Sequence, residues 1–240
     1  MDACSRGDVM DYGYIDENYS RIDAAIKKAA EGREVPQMIV AIKSADMGEI
    51  EYLVKKYGIL TVGENRTPQL LERYNQLCEL GVDIHFIGSL QTNKVKSVID
   101  KVKMIHSLDR ISLAREIDKQ AKKQGIVMDV LVEINSGREE NKGGVYPEDV
   151  EAFCEEIRSF DNINLRGFMT MAPKCEKNSE YLKYFCETYQ LVLDIWQKKL
   201  HNIGIPIISM GMSDSFEEAI LSGSNMIRIG RSMFNKNSLK

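Results

Sequence analysis

Residues 38–50 read MIVAIKSADMGEI, and this stretch decides the fold. Met38 to Ile42 is an unbroken apolar run of strand length, and Lys43 ends it. The segment that follows, "EIEYLVKKY" (49–57), repeats its apolar positions at helical spacing. A buried strand, a polar turn and an amphipathic helix make one β–α unit, and working outward the same unit recurs. Strand-like runs fall at Met38–Ile42, Ile59–Val62, Asp83–Ile87, Met104–Leu108, Asp129–Ile134, Leu165–Met171, Pro206–Met210 and Asn225–Ile229. Between them lie helical segments at 68–80, 112–124, 147–160 and 181–200, several opened by Ser, Thr or Pro in cap or first-turn positions.

Eight such strands alternating with helices in 240 residues predict right-handed β–α–β units closed as a (β/α)8 TIM barrel, an α/β fold. The runner-up, an open doubly wound sheet, needs a reversal of strand order and usually has fewer parallel strands. After the eighth strand only "RSMFNKNSLK" (231–240) remains, too short for a full closing helix, whereas "ENYSRIDAAIKKAAEGR" (17–33) precedes the first strand. The N-terminal helix is therefore predicted to take the closing place. No linker, low-complexity tract or repeat divides the chain, so one domain over 1–240 is expected.

A net charge of −4 leaves no basic excess for nucleic acid or an anionic membrane surface. No apolar run approaches the ~20 residues that span a bilayer, and the polar, acidic start is unlike a signal peptide, so a cytoplasmic protein is expected. Five cysteines without C-x-x-C spacing read as reduced thiols, and three scattered histidines predict no metal site.

In such barrels the active site is built where the strands end at their carboxyl termini. Here those ends carry Lys43, then Glu64 and Asn65, then Gln91, Asn93 and Lys94, then Asp109 and Arg110, and they continue with Asn135, Thr170, Ser209, Ser213 and residues 228–232. Loop polarity alone accounts for any one of them. The seventh and eighth ends are more specific, because phosphate sites in this fold are commonly made there. In "SMGMSDSFEEAI" (209–220) Ser and Gly leave backbone N–H groups accessible, and Ser213 or Asp214 is placed to cap the following helix; in "RIGRS" (228–232) Gly230 lies beside Arg231. The bland alternative is a capped helix and a tight turn.

A lysine that loses its proton on desolvation attacks carbonyls to form a Schiff base. Carbonyl plus phosphate suggests a sugar phosphate, as in a lysine-dependent aldolase, or pyridoxal 5′-phosphate. Arg228 alternates with Ile227 and Ile229, so it faces one side of its strand and could donate to a pyridine nitrogen. Its structural alternative is an ion pair with Glu64, Glu133 or Asp214.

The motifs "GEN" (63–65), "HFIGSLQTNK" (85–94), "IHSLDR" (105–110), "LRGFMTM" (165–171), "SMGMSDSFEEAI" (209–220) and "RIG" (228–230) together resemble the pyridoxal phosphate homeostasis proteins, single-domain relatives of the alanine racemase barrel. The resemblance runs from about Ile15 to Phe234. It implies a fold-type III pyridoxal phosphate barrel in which Lys43 carries the cofactor as a Schiff base. It further implies that Ser209, Gly211, Ser213, Gly230 and Arg231 form the phosphate cup, that Arg228 meets the ring nitrogen, and that Asn65 lies near the cofactor. His85 and Lys142 match motif residues with only a weak physical role, and His85 reads equally well as a hydrogen-bonded histidine at a strand start. Two departures stand out. "SAD" (44–46) replaces the family's usual Thr-Lys-Pro, which removes a second lysine at Ala45, and Arg231 replaces a usual threonine.

Racemisation needs proton donors on both faces of a carbanion, and no second base is evident at the strand ends; an arginine at the ring nitrogen also makes a poorer electron sink. The expectation is a monomeric carrier in intracellular vitamin B6 homeostasis, passing pyridoxal phosphate to apo-enzymes that use it. A pyridoxal phosphate-dependent racemase or lyase is the alternative, with a Schiff-base aldolase as a third reading.

Overall fold

The structure is a computed structural model that describes residues 11–198 and 204–237. Eight parallel strands close into a barrel in chain order: β1 (Gln37–Ala41), β2 (Thr61–Glu64), β3 (Asp83–Phe86), β4 (Met104–Leu108), β5 (Met128–Ile134), β6 (Ile163–Thr170), β7 (Ile207–Ser209) and β8 (Met226–Ile229). Pairing of β1 with β8, Ile39 opposite Arg228, closes the ring and excludes an open sheet. The helices are α1 (Gly13–Ala30), α2 (Met47–Tyr57), α3 (Thr67–Glu79), α4 (Val95–Val98), α5 (Ile111–Gln124), α6 (Val150–Ile157), α7 (Asn178–Gln197) and α8 (Phe216–Leu221). Residues 199 and 200 of the helix expected at 181–200, together with Cys4 and His201, lie outside the described residues.

Local chemistry explains the units. Asp46 opens α2 with a capping box, its side chain accepting from Glu49 N–H while the Glu49 carboxylate accepts from Asp46 N–H. In α1, Ile15, Ile22, Ile26 and Ala29 recur every three to seven residues and are buried. The predicted role of this helix holds: α1 packs on α8, and Asp16 accepts from the Tyr52 and Tyr57 hydroxyls of α2 at 2.9 and 2.7 Å. Asn18 donates to the carbonyls of Met233 and Asn235, both at 3.0 Å, and so ties the segment after β8 to the same helix.

The main apolar core lies between strands and helices, where side chains such as Phe86, Phe168 and Leu113 are fully buried and each contributes about 1.5–3 kcal/mol. A smaller cluster of Met104, Leu131, Met169 and Ile207 fills the inside of the barrel. Alternation from these positions sets what points inward nearer the strand ends, namely His106, Glu133 and Ser209. Most strand boundaries shift by a residue or two from those expected; at β2 the strand begins at Thr61 and not Ile59, with Leu60 exposed, because its pairing runs Val40 to Val62 and Thr61 to Asp83. Gly63 and Glu64 thereby become part of the strand and Asn65 its end.

Candidate functional site

Above the apolar plug the barrel interior is crossed by buried polar side chains from four strands. Arg228 of β8 donates from Nη1 to the carbonyl and the hydroxyl oxygen of Ser209, both at 2.8 Å, and from Nη2 to the Thr170 carbonyl at 2.9 Å. Ser209 Oγ lies 3.5 Å from His106 Nδ1, and His106 Nε2 lies 3.0 Å from His85 Nδ1. Because a guanidinium only donates, the Ser209 oxygen accepts from it. Between His106 Nε2 and His85 Nδ1 one nitrogen donates and the other accepts. Burial holds both imidazoles neutral: the His85 pKa falls to about 4, and that of His106 lies well below its ordinary value, pushed down by burial and then by His85 and Arg228. Burial lowers Arg228 to about 10, against the attraction of Glu133, so its charge persists at neutral pH.

The ion pairs considered for Arg228 are thus replaced by hydrogen bonds. Glu64 accepts from the N–H groups of Asn65 and Arg66 and faces Arg73 at 3.9 Å, Asp214 pairs with Arg231, and only Glu133 acts on Arg228, at longer range. His85 belongs to this interior layer and reaches the strand ends only through His106, Ser209 and Arg228.

The rim on the β7–β8 side is zipped by main-chain and hydroxyl bonds. Arg228 N–H donates to the Gly211 carbonyl at 3.1 Å, and Ser232 N–H donates to Ser213 Oγ at 3.1 Å. Ser213 and Asp214 therefore do not cap α8. Its cap position is Ser215, whose hydroxyl accepts from Met212 N–H at 3.3 Å, and α8 is only six residues long. Gly211 has φ +91°, and a Cβ there would sit 2.9 Å from the Phe216 Cα, so the close turn requires glycine. At Gly230 a Cβ would lie 2.8 Å from the Ala41 carbonyl oxygen. Arg231 is exposed and is held by Asp214. The Ser232 hydroxyl, in contrast, is enclosed and has no hydrogen-bond partner.

Lys43 follows β1 and is exposed; its ammonium makes no hydrogen bond or ion pair to a described residue. Burial therefore does not supply the desolvation expected for this amine. Asn65, at the end of β2, has a buried Oδ1 without a partner. Other strand-end groups are structural. Asn135 holds the loop after β5 by bonds to both the carbonyl and the N–H of Glu139, and Arg110 pairs with Asp109 and donates to the Leu90 carbonyl at 2.7 Å. Gln91, Asn93, Lys94 and Lys142 lie on the surface.

Sequence reasoning gave His106 no part in the site, listed Ser232 only within the strand-end stretch 228–232 without a role, and treated Glu133 only as an ion-pair partner. The alternation of β4 and β5 placed His106 and Glu133 on the inner face and was the available signal; for Ser232 there was only its adjacency to Arg231. Glu133 is buried, and burial with Asp109 nearby raises its pKa to about 7. A concavity of about 400 Å³, lined in part by Asp109, Gly144 and Tyr146, opens beside this side of the mouth. Another of about 450 Å³, between α1 and α2, includes none of the mouth residues. Among the described residues no group of three His, Cys, Asp or Glu side chains is arranged to hold a metal ion.

The polar groups fit an anionic, aldehyde-bearing ligand: the Ser232 hydroxyl, enclosed without a partner among the described residues, a glycine cradle, a buried cation and an exposed amine. The family model for the alanine racemase N-terminal domain matches residues 11–238. A pyridoxal phosphate homeostasis protein of Aquifex aeolicus is 38% identical over 234 residues, covering 98% of each chain. One from Pseudomonas aeruginosa is 30% identical over 224 residues, covering 92% of this chain and 94% of the relative. The structure of PipY from Synechococcus elongatus with pyridoxal phosphate bound superposes with a TM-score of 0.78 at 23% identity, over 92% of this chain and 99% of that one, and shares the fold.

Proposed function

The chain belongs to the alanine racemase N-terminal-domain family, among the pyridoxal phosphate homeostasis proteins, and from that premise we propose that it holds pyridoxal 5′-phosphate at the barrel mouth and stores or hands on the cofactor within the cell. The observation that carries this reading is the set of unmet polar groups around a fully met one. Asn65 Oδ1, Ser232 Oγ and the Lys43 ammonium lack partners among the described residues, while Arg228 is pinned by three hydrogen bonds. Buried polar atoms are seldom left unpaired unless a ligand or water completes them.

When bound, pyridoxal phosphate supplies an aldehyde that a primary amine bonds reversibly, a phosphate and a ring nitrogen. Lys43 is the amine with room to reach it. Gly211, Ser213, Gly230 and Ser232 offer backbone and hydroxyl donors to the phosphate, Ser209 holds Arg228 from below, and Arg231 stays with Asp214 at the outer edge. Arg228 faces the ring nitrogen as a fixed cation. It keeps its proton at neutral pH and already gives hydrogen bonds to two carbonyls, so it orients the ring without protonating it. His85 and His106 stand behind the Ser209 oxygen that accepts from the guanidinium. These roles favour holding over turnover.

A second reading, an amino-acid racemase or lyase, draws on Glu133, a carboxyl that titrates near neutrality on the inner face of β5. Exchange of the α-proton in D2O across a panel of amino acids would establish it, and the carrier reading expects none.

The primary test is visible absorbance of wild type and Lys43→Ala supplied with pyridoxal phosphate, then borohydride reduction and peptide mass mapping. The expected result is a yellow band in wild type, fixed as a pyridoxyl adduct on Lys43 and lost in the variant. An adduct that survives Lys43→Ala overturns the assignment.

A further inference from the structure

Glu133 has no task in holding the cofactor as described above, yet its placement is unusual for a carboxyl. It is the penultimate residue of β5, aligned with Met169 of β6, and alternation from Leu131 in the interior cluster turns it into the barrel. It is 6% exposed, and neither carboxylate oxygen makes a hydrogen bond or ion pair to a described residue. Such a group costs stability unless something outside the chain completes it.

Glu133 shares a glycine neighbour with a second carboxylate. A Cβ placed on Gly143 would lie 3.1 Å from Asp109 Oδ2 and 3.8 and 4.0 Å from the two Glu133 oxygens, so the backbone of residue 143 packs closely over both carboxylates. Asp109 and Gly144, the next residue, line the concavity of about 400 Å³, which brings solvent to the Asp109 side of the pair. The charged groups acting on Glu133 are Asp109 and Arg110 after β4 and Arg228 on β8; His106, beyond Ser209, is neutral. Asp109 is balanced by Arg110. Asp109 Oδ2 and both Glu133 oxygens receive no hydrogen bond from a described residue.

A buried carboxylate beside a second one that borders a solvent-facing concavity matches a primary ammonium, which is compact, cationic and carries three donors. We propose that Glu133, assisted by Asp109, receives the ammonium group of an incoming primary amine and takes its proton, preparing that amine to displace Lys43 from the cofactor aldehyde. This rests on the carrier reading, in which the cofactor must pass from Lys43 to another amine. The step is a proton transfer: an N–H bond of the ammonium breaks, an O–H bond forms on Glu133, and the electron pair remains on nitrogen. The neutral amine so produced is the nucleophilic form. An ordinary carboxylate is too weak a base for this; one raised to about 7 stands closer to an amine near 10.4 and is still ionised in a large fraction at neutral pH.

Two measurements test this. In the protein without cofactor, infrared difference spectra should show a protonated carboxyl band that titrates near pH 7, shifts on addition of Nα-acetyl-lysine amide or glycine, and vanishes in Glu133→Gln. In the loaded protein, the rate at which either amine displaces Lys43, followed by absorbance, should rise through pH 7 and fall at least tenfold in Glu133→Gln, with occupancy of Lys43 unchanged. Asp109→Asn, checked for a native circular dichroism spectrum, should lower the rate less. A response to the lysine analogue alone identifies a protein side chain as the recipient, and a response to both identifies amines generally. An infrared band indifferent to both amines, or equal displacement rates in Glu133→Gln, overturns the proposal. Absence of any adduct in wild type removes the carrier reading, while the infrared titration still decides whether Glu133 receives amines.

Discussion

Two sets of polar side chains meet at the carboxyl end of the barrel, and they differ in how far their hydrogen bonds are used up. In the interior set, His85, His106, Ser209 and Arg228 satisfy one another and the Thr170 carbonyl from four strands and β6 beside them. On the rim, Asn65 Oδ1 and Ser232 Oγ are enclosed and, among the described residues, neither they nor the Lys43 ammonium has a partner. The contrast separates two jobs. A saturated buried network holds strands together and fixes directions, whereas unspent donors and acceptors are useful only to a molecule that is not part of the chain.

The comparison is broken most directly at Arg228. Arg228→Met fills similar volume but leaves the Ser209 and Thr170 carbonyls without their donor, and loss of one partner from a buried charged network costs about 3–5 kcal/mol. Lys43→Ala, on the rim, should change stability by no more than ~0.5 kcal/mol. Urea unfolding of the cofactor-free variants measures both. Near-equal costs would mean that the interior set does not bind the strands together as its geometry indicates.

Next in size is a pH effect that sets His85 of the interior set against Glu133, a buried carboxyl outside both sets. His85 drops from 6.5 to about 4 on folding, so the unfolded chain binds the proton first and stability is lost as pH falls from about 6.5 to about 4. Glu133 rises from 4.5 to about 7, so here the folded chain binds the proton first and stability is lost as pH rises from about 4.5 to about 7. The two slopes oppose each other in between and mask one another in wild type. Glu133→Gln removes the second. Its stability relative to wild type should therefore grow by roughly 2–3 kcal/mol between pH 4.5 and pH 7 and then level off, as read from urea titrations at a series of pH values. A difference that is constant with pH would show that Glu133 is ionised as freely in the barrel as in water.

The barrel was legible because its signal is periodic and repeated: eight apolar runs separated by helical spacing tolerate a boundary error such as that at β2 without altering the topology. Residue types at strand ends could be read from sequence, which is why Lys43, Asn65, Ser209, Gly211, Ser213, Arg228, Gly230 and Arg231 could be named there as candidates. What each does with its neighbours was not. Pairing His85 with His106 requires that β3 and β4 be adjacent and in a given register, and the 3.0 Å contact joins residues 21 positions apart. The expected cap from Ser213 or Asp214 failed for a similar reason, since Ser232 and Arg231, from the other end of the loop pair, claim those side chains. Exposure of Lys43 is likewise set by the turn after β1 and not by the apolar run before it.

The smallest effects on folding fall on two neighbours at the rim, and they should move ligand binding in opposite directions. The Arg231–Asp214 pair is exposed on both sides, and such pairs contribute ~0–1 kcal/mol, so Asp214→Ala should leave stability almost unchanged. Ser232→Ala removes a hydroxyl that bonds to nothing in the protein and should be equally mild. With pyridoxal phosphate the two diverge. Loss of the Ser232 donor should weaken binding by roughly tenfold or more, because a hydrogen bond to a charged group is worth about 1.5–3 kcal/mol. Loss of Asp214 removes a negative charge and frees Arg231 to turn inward, which should tighten binding a few-fold in low salt and less in high salt. Fluorescence titration with pyridoxal phosphate and with pyridoxal, which lacks the phosphate, isolates the contact. Effects that persist with pyridoxal would place Ser232 and Arg231 elsewhere than at the phosphate, and the hydroxyl that the chain lacks at 231 would then have no replacement at 232.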